Sequence, residues 1–161
     1  MRKPPPRALI LIALLLSAAA TVTGQDRPNS QPAQERPGAP APASVVAEIR
    51  HALDDAIRRV EAMDEPGLLA HVSEQYRTGP LTKAVLREQL RALFAVQDQI
   101  KASVRIDEVR IVGDHAWVYS TGEVTGRLRW VGGSVPVLGW ERELEVARRE
   151  AGRWRLFGYQ Q

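Results

Sequence analysis

Residues 112–126 read VGDHAWVYSTGEVTG. Gly113-Asp114 is a two-residue hairpin signal, because a tight antiparallel turn needs residues that tolerate positive φ. After it Ala116, Val118 and Val124 alternate with Trp117 and Tyr119, and a period of two puts the two sets on opposite faces of a strand. Upstream of the turn Val104 and Ile106 share one parity while Val109 and Ile111 share the other, which predicts a bulge at Asp107-Glu108. Downstream the strand continues from His115 to Val131, and Gly132-Gly133-Ser134 turns it back. The returning strand spans Val135 to Arg149, and Glu150-Ala151-Gly152 makes a last hairpin into Arg153–Gln160. Glycines 122, 126 and 139 inside these long strands permit a sharp curl.

Before the sheet the period is helical. Ser44 is placed to cap a first helix whose apolar stripe is Val46, Ile49, Leu53, Ile57 and Val60. Glu65-Pro66-Gly67 ends it, and Pro66 suits the first turn of a short second helix through Leu68, Leu69 and Val72. Thr82 caps a third helix with Leu86, Leu90, Leu93 and Phe94 on its buried side, and Leu81 and Leu86 are placed as a hydrophobic staple. Helices segregated to one face of an antiparallel meander give an α+β class. The expected architecture is three N-terminal helices packed on a strongly curved antiparallel sheet, a cone with an internal cavity.

The N-terminus has a different character. Arg2, Lys3 and Arg7 precede an apolar run from Ala8 to Ala20, and Ala18 and Ala20 stand like a cleavage site before Thr21. This predicts a secretory signal peptide over residues 1–24 and a periplasmic or secreted destination. The competing reading, a retained anchor, meets a run shorter than the roughly 20 residues that cross a bilayer, so no stable membrane insertion is expected after cleavage. Residues 25–43, with Pro28, Pro32, Pro37, Pro40 and Pro42, bury too little apolar surface to order themselves and predict a disordered tether. Residues 44–161 are the size of one domain.

The chain carries 22 Lys+Arg against 19 Asp+Glu, and the three basic residues of the leader account for the excess. A neutral domain has no global pull toward nucleic acid. Cysteine is absent, so packing alone must supply stability.

The segments AMDEPGLLAHVSEQYR (62–77), VGDHAWVYSTGEVTG (112–126) and REAGRWRLFGYQ (149–160) together resemble the nuclear transport factor 2-like superfamily, whose cone-shaped fold includes ketosteroid isomerase, scytalone dehydratase and polyketide cyclases, across residues 44–161. The resemblance implies a cavity and often a homodimer through the sheet; it implies no reaction.

Alternation places Trp130, Trp140, Leu144, Trp154 and two polar residues, Ser120 and Arg142, on the core face. A charge there is costly unless paired. One reading makes Arg142 the anchor of an anionic ligand flanked by Trp130 and Trp140. The others are an internal ion pair, bonds to helix-end carbonyls, or a bulge that turns it outward. His71 and Tyr76 are expected near the cavity mouth from the resemblance. Trp117 and Tyr119 on the opposite face, with Arg127 and Glu141, form a candidate homodimer or partner surface. Arg127, Arg129, Glu141, Glu143 and Glu145 are expected to form cross-strand pairs there.

No catalytic residue is expected. The resemblance puts a base near Gln75–Pro80, where there is no acid, and a donor tyrosine near Ala56. No inward sheet position carries an acid, and no His–Asp pair is foreseen in the cavity. The three histidines lack metal-ligand spacing, and no cofactor motif is present. The leading expectation is a non-catalytic module binding a small, partly apolar ligand. The alternatives are a homodimerising accessory domain and an isomerase, dehydratase or cyclase using His71, Tyr76 or Ser120.

Overall fold

A computed structural model describes residues 36–159; the expected leader and residues 25–35 of the expected tether lie outside them. In chain order the elements are β1 (Ala39–Pro40), α1 (Ala43–Glu61), α2 (Glu65–Leu69), β2 (Arg77–Thr78), β3 (Leu81–Thr82), α3 (Lys83–Val96), β4 (Gln97–Val112), β5 (His115–Leu128), β6 (Ser134–Glu150) and β7 (Arg153–Leu156). The main sheet has the order β1-β4-β5-β6-β7 and every neighbour is antiparallel; β2 and β3 form a separate small hairpin. Three helices on one face of a curved meander make the chain α+β, as the periodicities require.

The start of the domain differs from expectation. β1 falls inside the stretch read as tether: Ala39 and Pro40 pair with Ile111 and Arg110 on the free edge of β4. Backbone hydrogen bonds, rather than apolar burial, order this segment, and Ala41 N–H adds one to Val109 at 2.9 Å. The helix therefore begins at Ala43, with Pro42 as its N-cap and no side-chain cap bond; Ser44 is already inside its first turn. Elsewhere local chemistry holds. The Asp64 carboxylate accepts from Gly67 N–H at 3.0 Å at the start of α2, and Thr82 Oγ1 accepts from Val85 N–H at 3.4 Å at the start of α3.

Two apolar clusters fill the concave side. One gathers Val60, Leu68, Leu69, Val72, Tyr76 and the α3 leucines against Ile100, Val124 and Trp140. The other sets Ile49 of α1 against Ile106, Val109, Ala116 and Val118.

The strands carry three register shifts that matter. The one between Ile106 and Glu108 lies where the parity switch predicts it. The other two fall on β6. Val124 pairs with Leu138 but Thr125 with Pro136, and Ser120 pairs with Glu143 but Gly122 with Trp140. In the second of these Glu141 and Arg142 both stand opposite Thr121. Arg142 takes φ 45° there, a left-handed backbone that costs a non-glycine residue roughly 1–2 kcal/mol. Its N–H donates to Thr121 Oγ1 at 3.1 Å, and Thr121 in turn donates to Asp107 at 2.6 Å.

That bulge reverses the faces of β6. Residues opposite one another in an antiparallel ladder project to the same side. Before the bulge Trp140 faces the core with Gly122. Beyond it Glu143 pairs with Ser120, Glu145 with Val118 and Ala147 with Ala116, so these three take the inner parity. Leu144, expected inside, and Val146, two residues on, pair with Tyr119 and Trp117 on the outer face.

Candidate functional site

A cavity of about 110 Å³ lies at the seam between the two apolar clusters. Ile49, Leu53, Leu68, Val104, Val118 and Leu156 make most of its wall, with Trp140 and Trp154 closing two sides. Four polar residues also reach it: His71, Ser120, Glu145 and Arg155.

Of the residues read as lining the cavity, four do so. Trp140 is nearly buried at 7% exposure, and its indole N–H donates to Ser120 Oγ at 3.1 Å. Trp154 turns its N–H outward to Glu48 of α1 at 3.0 Å. His71, just past α2, completes the set.

The other members lie elsewhere. Trp130 stands at the β5–β6 tip, 78% exposed, because β5 ends at Leu128 and the tip leaves the sheet. Arg142 is turned out by the bulge; its guanidinium is half exposed and lies 3.5 Å from Glu108 on the convex face. It is therefore no anchor inside the cavity. Tyr76 is buried in the first cluster, away from the cavity wall, and burial raises its phenol pKa. Leu144 faces outward with Tyr119.

The residues expected on the outer face divide similarly. Trp117 and Tyr119 are half-buried there, and the Arg36 guanidinium lies 5.1 Å from the Tyr119 ring centroid. Arg127 stands opposite Ser134 and pairs instead with Asp98 at 2.7 Å, while Arg129 donates to the carbonyls of Phe94 and Gln97. Glu141 is exposed.

Sequence reading missed an arrangement at the cavity mouth. His71 Nε2 sits 2.8 Å from Asp55 Oδ2, a residue of α1. The hydrogen bond from His71, with help from Arg58, lowers the Asp55 carboxyl from 3.8 to about 2. An ionised carboxylate only accepts, so Nε2 carries the proton and, in neutral imidazole, Nδ1 keeps the lone pair. Asp55 lies one helical turn before Arg59, outside the apolar stripe of α1. No pattern in sequence joins it to a histidine 16 positions away.

The second missed feature is acid on the inner sheet face. Glu145 lines the cavity, and Glu143 has a buried Oε2 without a hydrogen-bond partner among the described residues. Burial raises the Glu143 carboxyl pKa above the usual 4.5. Among the described residues no group of three or more His, Cys, Asp or Glu side chains is arranged to hold a metal ion.

This cone with helices on its concave side is the nuclear transport factor 2-like fold. It superposes on a conserved protein of Planctomyces limnophilus with TM-score 0.63, 17% identity and coverage of 71% of this chain and 92% of that one. A ketosteroid isomerase-like protein of Erwinia carotovora matches with TM-score 0.57 at 22% identity, covering 72% and 93%. A candidate dehydratase of the NTF2-like family from Streptomyces avermitilis gives 0.58 at 15% identity, covering 73% and 95%. No family model and no curated protein matches the sequence.

Proposed function

We propose that the protein is an exported module that binds a small, partly apolar molecule in the cone. One observation carries this: a hollow of about 110 Å³ bounded by aliphatic and indole surface, with a few polar groups converging on it. Such a space favours an apolar guest, because filling it removes nonpolar surface from water and restores lost dispersion contacts. The basic, apolar and small-residue zones of residues 1–24 support export. Toluene titration followed through the indole N–H resonances of Trp140 and Trp154 tests the cavity. Saturable shifts are expected in the native protein and not in Ala52→Phe, which fills the space. Native protein without any saturable shift would overturn the reading.

The Asp55–His71 pair favours a second reading, acid–base catalysis. An imidazole whose Nε2–H is held by an ionised carboxylate presents Nδ1 as a general base, and the carboxylate stabilises the imidazolium that proton abstraction would form. Similar folds named ketosteroid isomerase-like and dehydratase make proton transfer next to a carbonyl the reaction to try. Cyclohexanone in D2O supplies a ring-sized test. Exchange of its α-protons above the buffer rate, dropping about 10²-fold in His71→Gln, would support an enzyme. A rate equal to buffer would leave only binding.

A further inference from the structure

A 110 Å³ cavity takes about one ring, since an apolar cavity of about 150 Å³ holds benzene, whereas whole ligand sites run to roughly 300–1,000 Å³. Any larger ligand must project out of it. A second hollow of about 620 Å³ lies alongside, between α1 and the β6–β7 hairpin. Ala52, His71 and Trp154 line both spaces, so the two meet at one wall and the groove is placed to act as the cavity's vestibule.

The charges in this vestibule are unevenly committed. The Glu48 carboxylate is taken by Arg149 and by the Trp154 indole N–H. Asp55 is taken by His71, Arg58 and Arg59. Arg153 also lines the groove, is exposed, and makes no ion pair among the described residues. The uncommitted charge at the cavity's entrance is therefore positive, beside an indole that can cover a ligand's apolar stem.

We propose that the site takes a small arylalkanoic or alicyclic acid, its ring in the cavity and its carboxylate in the vestibule against Arg153. This rests on the cavity reading above and names the substrate class for it. A guanidinium matches a carboxylate with two parallel N–H bonds, and the acid would lie along the wall where His71 stands.

The test uses three probes: 4-phenylbutyrate, the equally long neutral 4-phenylbutanamide, and toluene. Calorimetry on the native protein is expected to show the acid binding about tenfold more tightly than the amide, the lower end of the range for a hydrogen bond to a charged group. In Arg153→Gln that ratio should fall below about twofold, with toluene binding unchanged. Arg142→Gln, on the convex face, should keep the native preference. Equal affinity for acid and amide, or a preference that survives in Arg153→Gln, overturns the proposal while toluene binding leaves the cavity standing. Loss of toluene binding in the native protein overturns both.

Discussion

A carboxylate held by a histidine and two arginines makes the protein sensitive to acid in a defined window. Asp55 is ionised in the folded chain down to about pH 2, against 3.8 for a free side chain. A depressed carboxyl pKa contributes stability above the unfolded value, and that contribution fades as pH falls from about 4 through about 2. Asp55→Asn should remove this part of the acid dependence, read as a smaller drop in thermal midpoint between pH 5 and pH 2 than in the native protein. Glu143 works in the opposite sense. Its raised pKa means the fold prefers the protonated acid, so stability is lost as pH rises past the ordinary glutamate value. Glu143→Gln is expected to raise the thermal midpoint at pH 7 and leave it unchanged near pH 4. A midpoint lowered equally at both values would show that the buried oxygen has a structural role that the amide cannot fill.

Strand β6 shows what sequence periodicity delivers and where it stops. The helices, the meander, the turn at Gly113-Asp114 and the bulge at Asp107-Glu108 were all legible, since each writes a switch of period or parity into apolar positions. The bulge at Arg142 leaves no such mark. Trp140, Leu144 and Val146 have one parity in sequence, yet the extra residue sends Leu144 and Val146 to the outside and Glu145 to the cavity. The inner wall consequently reads without acid, and of the readings open for Arg142 the outward-turning bulge is the one that holds. Two substitutions probe this region. At Arg142, with φ 45°, glycine should stabilise by up to about 1 kcal/mol while valine destabilises by at least as much, compared by urea midpoints. At Gly122 an added Cβ would lie 2.5 Å from the Trp140 ring and 2.6 Å from Ser103 O. Gly122→Ala should therefore cost about 1–3 kcal/mol and disturb the Trp140–Ser120 bond, visible as a shifted indole N–H signal.

On the scale of the whole molecule, the sheet is closed at one edge by the segment that sequence reading assigned to the tether. Unpaired edge strands template association with other chains, and β1 covers part of the β4 edge. Protein beginning at Ala43 is expected to associate with rising concentration in sedimentation velocity, while protein beginning at Arg36 stays at its native size. Equal behaviour of the two would show that β1 has no part in guarding the edge. The bulge in β6 has a different reach. Removing the single residue Arg142 would leave Glu141 alone opposite Thr121 and keep Trp140, Glu143 and Glu145 on the inner face. Such a strand can thus shed one codon at its bulge without altering which side chains line the pocket, and descendants of a common ancestor could differ in length there while keeping the same ligand.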